Sequence, residues 1–119
     1  MKLMNRTFDE LTPGDVAEMD RLITLDDLYV FAAASGNYNP MHLPAEDGDG
    51  DGTAERVAPG MFVGALISAV LGMRLPGPGT LYRRQVLDFH DRAHAGEGLR
   101  CTVKVLKKRA DGVVRLATE

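Results

Sequence analysis

The 119-residue sequence predicts an α+β domain. Three observations carry this. An apolar stretch from Phe62 to Met73 follows Pro59 and Gly60 and reads as one long helix, about 60–73. Strand-like stretches follow it, with apolar and polar residues alternating. A shorter amphipathic helix precedes it. Helix-period and strand-period patterns segregated along one chain point to helices packed on an antiparallel sheet.

The long helix is apolar nearly all round, so it is expected to be wrapped on most sides. Pro59 suits the first turn, where a missing N–H is harmless, and Leu75-Pro76-Gly77-Pro78-Gly79 stops the helix. Thr80–Phe89 reads as a strand. Leu99–Leu106 reads as a second, with Leu99, Cys101, Val103 and Val105 on one face. Ala110-Asp111-Gly112 is a hairpin turn signal, and Val113–Thr118 reads as a third strand. Near the start, Val16–Ile23 alternates with Ala17, Met19, Arg21 and Ile23 on its better core face. Thr24 then reads as a helix N-cap, with Asp27 three residues on as an approximate capping box. Leu25, Leu28, Tyr29, Phe31, Ala32 and Ala33 form an apolar stripe, and Gly36 supplies the stop, giving a helix over Leu25–Ser35.

Composition excludes several classes. The net charge is −3, and the chain has no Trp and few aromatic residues, which speaks against a nucleic-acid surface. The single cysteine, Cys101, makes no internal disulfide. Met1–Glu10 carries charges and no apolar core of a signal peptide. The run Met61–Met73 is short of the roughly 20 residues that span a membrane. One cytoplasmic domain over residues 1–119, with no nucleic-acid or membrane partner, is expected.

Candidate chemistry concentrates in Ser35-Gly36-Asn37-Tyr38-Asn39-Pro40-Met41-His42, at the end of the first helix. Imidazole gives and takes protons near neutral pH, which makes His42 the leading candidate. Gly60 is placed at the N-terminus of the buried helix, where free N–H groups favour negative charge. Two metal-like patterns are set aside. Asp47-x-Asp49-x-Asp51-Gly52 matches the first half of a calcium loop, but Ala58 stands where the bidentate Glu is needed. His90 and His94 have zinc-helix spacing without a predicted helix. No metal is expected.

Phe31-Ala32-Ala33-Ala34-Ser35-Gly36-Asn37-Tyr38-Asn39-Pro40-Met41-His42 resembles the hydratase motif F-A-x-x-S-G-D-x-N-P-x-H of the MaoC-like dehydratases and R-specific enoyl-CoA hydratases. Phe8-Asp9-Glu10-Leu11-x-x-Gly14-Asp15 is similar to that family's usual start. Val57-Ala58-Pro59-Gly60-Met61 falls where the family has A-H-G-M, and Phe89–Leu99 resembles its F-x-x-P-V-x-x-G-D-x-L. The resemblance covers nearly the whole chain.

It implies a hot-dog fold, with a curved antiparallel sheet around the apolar helix. It implies reversible hydration of trans-2-enoyl-CoA to (R)-3-hydroxyacyl-CoA by a homodimer, with an acyl-CoA thioester as substrate and no cofactor beyond the coenzyme A it carries. His42 and Asn37 then take the positions of the family's proton-handling pair, and the Gly60 N–H that of the oxyanion donor. Ser35, Gly36, Asn39 and Pro40 shape the turn, and Tyr38, Met41 and Met61 become substrate-binding candidates. Arg83, Arg84, Lys104, Lys107, Lys108 and Arg109 are candidates for the coenzyme A phosphates.

The sequence departs from the pattern at several places. Asn37 replaces the acid and Pro59 the histidine. Arg92-Ala93 and Gly96-Glu97 replace P-V and G-D. The chain is expected to lack the family's last strand, leaving an open sheet edge. An amide cannot accept a proton as a carboxylate does, so impaired hydration is expected. An inactive acyl-CoA-binding or structural subunit is the alternative, and a thioesterase a further one.

Overall fold

The computed structural model describes residues 5–119. Met1–Met4, the start of the charged N-terminal stretch, lie outside the described residues. Five main elements follow one another: β1 (Val16–Leu22), α1 (Leu25–Ser35), α2 (Gly60–Met73), β2 (Gly98–Lys108) and β3 (Val114–Thr118). Short 3-10 turns cover Phe8–Glu10 and Pro40–His42. The chain divides into two compact units, one of Met1–Asp20, Ala65–Val86 and Arg100–Glu119, the other of Arg21–Gly64 and Leu87–Leu99.

The first unit holds the sheet, in the order β1-β2-β3. β2 and β3 pair antiparallel, Val103 opposite Thr118 and Lys108 opposite Val114. The hairpin closes where Arg109 N–H donates to the Val113 carbonyl at 2.8 Å. Gly112 takes a φ of 85° in that turn, a conformation that costs glycine nothing. At the start of β1, Gly14 N–H donates to Val105 O at 2.8 Å and Val105 N–H returns a bond to Asp15 O at 2.9 Å. The alternation read from the sequence holds. Cys101, Val103 and Val105 are buried together on one face of β2. They share the unit's core with Leu11, Leu66, Ile67, Val70, Leu71 and Leu75.

The second unit is built on α1. Thr24 Oγ1 accepts from Asp27 N–H at 3.1 Å, and an Asp27 carboxylate oxygen accepts from Thr24 N–H at 2.8 Å. This is the capping box the sequence predicts, and it satisfies two groups the helix leaves open. Arg21 clamps the same carboxylate with bonds of 2.7 and 2.9 Å. That guanidinium, with the Thr24 bonds, holds the Asp27 carboxyl well below the usual carboxylate range against the opposing effect of burial. Leu28 and Ala32 face the core with Ile23, Val57, Ala58 and Phe62. The Phe31 and Phe62 rings meet edge to face, with centroids 5.6 Å apart.

Three expectations need correction. Thr80–Phe89 forms no strand: among the described residues, no ladder or backbone–backbone bond involves 81–91. A strand exists only where a neighbour's edge takes its N–H and C=O groups, and alternation alone supplies no neighbour. The α1 stripe is narrower than expected, because Leu25 and Tyr29 are exposed and only Leu28 and Ala32 are fully buried. On α2, Met61, Ala65 and Ser68 lie open to solvent at one helical spacing, so that helix is not enclosed all round within the chain.

Candidate active site

The stretch Ser35–His42 is held by a relay of short side chains, each bonding backbone just ahead of or behind it. Gly36 ends α1 with φ 76°, its N–H donating to Ala32 O at 2.9 Å. Ser35 Oγ donates to Phe31 O at 2.7 Å and accepts from Asn37 N–H at 3.1 Å. Asn37 Oδ1 accepts from Asn39 N–H at 3.2 Å, and Asn39 Oδ1 from Met41 N–H at 3.1 Å. Pro40 opens the 3-10 turn, and His42 N–H donates to Asn39 O at 2.9 Å. Asn and Ser favour such local bonds over regular structure. Ser35, Gly36, Asn39 and Pro40 are therefore turn-makers, as expected.

The half-buried His42 ring lies 2.7 Å through Nδ1 from the Val57 carbonyl. A carbonyl oxygen only accepts, so Nδ1 carries the hydrogen and Nε2 of the neutral ring presents a lone pair. The backbone reinforces the contact, since Val57 N–H donates to Met41 O at 3.0 Å. The Val57 side of this clasp is fixed in turn: Ala58 N–H donates to Ala93 O at 2.7 Å, and Val57 bridges His94. Pro59 is buried, and α2 begins at Gly60. The carbonyl that orients His42 thus stands three residues before the helix start.

The Gly60 and Met61 N–H groups open α2 with no acceptor among the described residues. Gly60 is also where a ring packs: a Cβ there would lie 3.1 Å from Phe89 Cζ. Four residues on, a Cβ at Gly64 would lie 3.1 Å from Leu87 Cδ1. The two glycines therefore let Leu87 and Phe89 approach the first turn of α2 closely.

Asn37 and Tyr38 are exposed, Tyr38 at 63%, and Met61 is 64% exposed. Met41 is half-buried, and a Cβ on Gly48 would lie 3.0 Å from its sulfur, so its neighbour is the acidic loop. Val57 and Phe89 are the residues that sequence reasoning missed. Val57 acts through a backbone carbonyl, which leaves no mark in residue type. Phe89 was read as a strand end and as the start of the Phe89–Leu99 resemblance, with no contact to Gly60 assigned.

Asp47, Asp49, Asp51 and Glu55 bring carboxylate oxygens within 4.8 Å of one another. Their loop bonds are internal: Asp47 accepts from Gly50 and Gly52, and Glu55 from Gly48 and Asp49. The Gly52 N–H, with other loop donors, lowers the Asp47 pKa. Asp49 is pulled down by the Asp51 N–H, yet its bond to Glu55, burial and the charges of Asp51 and Glu55 together leave it raised. His94 Nδ1 pairs with Glu97 at 2.7 Å on a non-helical segment. Four of the six basic candidates lie together and two lie apart. Arg83, Arg84, Lys107 and Arg109 line a groove of the first unit. Lys108 sits over the Phe8 ring, 4.5 Å from its centroid, and Lys104 points to solvent on β2.

The family model described as the MaoC-like domain matches residues 11–116. The chain belongs to the MaoC-like domain family. The MaoC-like chain is 37% identical over 98 residues to an (R)-specific enoyl-CoA hydratase of Rhodospirillum rubrum, covering 82% of this chain and 68% of that one. It is 36% identical over 98 residues to a 3-hydroxybutyryl-CoA dehydratase of Methylorubrum extorquens, covering 82% of this chain and 62% of that one. Its structure matches the unliganded R-hydratase PhaJ1 of Pseudomonas aeruginosa with a TM-score of 0.88 and 43% identity, over 96% of this chain and 74% of that one. The MaoC-like α+β fold is the hot-dog fold. The enzyme class is that of hydratases and dehydratases, a lyase.

Proposed function

We propose that the chain hydrates trans-2-enoyl-CoA thioesters reversibly to (R)-3-hydroxyacyl-CoA, with His42 as the proton carrier. The observation that carries this reading is the bond from His42 Nδ1 to Val57 O, which leaves Nε2 as the ring's free base. The names of the relatives support the substrate class and the configuration.

In the forward direction, His42 Nε2 takes a proton from a water as that water's oxygen bonds C3. The C2=C3 π electrons move toward the thioester, and charge develops on its oxygen. The Gly60 N–H, without an acceptor among the described residues at the head of α2, is the group suited to receive that charge. A proton then returns from His42 to C2, which restores both partners. Asn37 sits in the same turn and is suited to hold the water through its amide. Tyr38, Met41 and Met61 remain the substrate-lining candidates. The reaction needs no cofactor beyond the substrate's own coenzyme A, and the compartment this reading assigns is the cytoplasm.

Asn37 limits the rate in this scheme. Its Oδ1 already accepts from Asn39 N–H, and an amide does not take up a proton under physiological conditions. The same observation favours a second reading, an acyl-thioester-binding subunit with little chemistry of its own.

The test is to follow loss of the conjugated thioester absorbance of crotonyl-CoA and to determine the configuration of the 3-hydroxybutyryl-CoA formed. The first reading expects slow hydration to the (R) product. Saturable crotonyl-CoA binding without turnover, persisting after Asn37→Asp, selects the second reading, and formation of the (S) product contradicts the first.

A further inference from the structure

The contacts that orient the His42 ring extend beyond Val57. Residues 56–58 run between two neighbours. On one side, Ala58 N–H donates to Ala93 O at 2.7 Å, and Ala95 N–H donates to Arg56 O at 3.1 Å. On the other, both backbone groups of Val57 bond the turn that carries His42. The Val57 N–H donates to Met41 O at 3.0 Å, and the Val57 carbonyl accepts from His42 Nδ1 at 2.7 Å. The ring thus takes the place that a backbone N–H holds in a ladder. Its orientation depends on the spacing between the turn and residues 56–58.

One side chain sets that spacing from the far side of His42. Arg56 Nε donates to Pro44 O at 3.0 Å. Pro44 is buried, and among the described residues its carbonyl accepts no backbone N–H, so the Arg56 bond satisfies it. The turn is therefore tied to residues 56–57 twice, at Met41 before His42 and at Pro44 after it. The backbone points the same way. Arg56 has a φ of 56° and is the one non-glycine residue with a positive φ among the described residues. Glycine takes that conformation freely, whereas a residue with a Cβ is held in it by its surroundings. The preceding loop does use glycine, Gly50 at 79° and Gly52 at 90°. At 56 the chain carries an arginine at a cost in strain, and the bond to Pro44 offsets it.

We propose that Arg56 is a positioning residue for hydration, which rests on the reading of His42 as the proton carrier. By holding Pro44 against residues 56–57, its Nε–H keeps the His42 ring within bonding distance of the Val57 carbonyl. That carbonyl places the hydrogen on Nδ1. A histidine ring in water favours the hydrogen on Nε2. A ring that drifts off Val57 therefore loses the lone pair that takes the proton from water. The N–H of Arg56 matters here and its charge does not.

Two substitutions of matched length separate the N–H from the rest of the side chain. Arg56→Gln carries an N–H where Arg56 Nε stands, and Arg56→Met carries a methyl there. The ring nitrogens of isotope-labelled histidine are read by NMR at about pH 8.5, where an imidazole of ordinary pKa, about 6.5, is neutral. The His42 signals are those that vanish in His42→Ala. The expected result is hydrogen on Nδ1 in the unmodified chain and in Arg56→Gln, and mainly on Nε2 in Arg56→Met. In the Asn37→Asp background, kcat for crotonyl-CoA falls about tenfold or more in Arg56→Met with KM little changed, and recovers in Arg56→Gln. Arg56→Gly, which takes a φ of 56° without strain, repeats the Arg56→Met result and serves if Arg56→Met does not fold. Hydrogen on Nε2 in the unmodified chain, or on Nδ1 in every folded variant, overturns the proposal. So does an equal loss of kcat in Arg56→Gln and Arg56→Met, which would make the charge the active feature. A move of the hydrogen to Nε2 in Arg56→Met, without turnover in any chain, upholds the Arg56 contact and contradicts the hydratase reading alone.

Discussion

At the residue scale, the account turns on an imidazole whose free nitrogen is set by a backbone carbonyl. His42 and Asn37 were singled out because both sit inside a motif of contiguous residues. Val57 was not, because the bond to His42 joins residues fifteen apart and uses an atom every residue has. Phe89 was not, because only the folded chain lays its ring on Gly60. Replacing Asn37 with Asp restores a group that takes up protons, and crotonyl-CoA hydration should rise by about 10²–10⁴-fold, the usual contribution of such a group. Gly60→Ala puts a methyl 3.1 Å from the Phe89 ring. It should lower kcat/KM by roughly 10- to 100-fold through displacement of the helix start, since small misplacements near reacting atoms are costly. Phe89→Ala in the same chain should recover part of that loss if the ring is the cause.

At the element scale, α1 was legible to both ends. Its signals are local, an N-cap Thr24 with Asp27 three residues on and a left-handed Gly36. Thr24→Ala should destabilise the fold by about 1 kcal/mol in chemical denaturation. The Asp27 carboxyl is held low chiefly by Arg21. A group whose folded pKa is depressed stabilises above its unfolded pKa, near 3.9, and that contribution is lost as pH falls below it. Denaturation midpoints should therefore drop below about pH 4, and the drop should be smaller in Asp27→Asn. The segment Thr80–Phe89 shows the limit of local signals. Alternation describes which face a strand would bury, whereas ladder formation depends on a neighbour the segment itself does not encode.

At the scale of the whole molecule, family and fold class were legible because motif residues recur along the whole chain, and the family match runs over residues 11–116. Burial was less so. A stripe of apolar residues does not say which of them face a neighbour, and Leu22, Leu25, Tyr29 and Val30 are all exposed, Val30 at 67%. Large apolar side chains left exposed are candidates for contact with a second copy, and on that ground we propose the homodimer that the family resemblance implies. Sedimentation equilibrium should give a dimer at micromolar concentration, and Val30→Glu should shift it to monomer. A monomer in the unmodified chain removes that part of the proposal. No helix among the described residues is long and apolar enough to cross a membrane.

The central claim is that His42 carries the proton, and the Asn37→Asp chain is the background in which its loss is easiest to read. The measurement is the rate of crotonyl-CoA hydration by Asn37→Asp compared with Asn37→Asp/His42→Ala, both checked for native far-ultraviolet circular dichroism. The account predicts a fall of at least about 10²-fold on removing the imidazole. Equal rates in the two folded chains would contradict it.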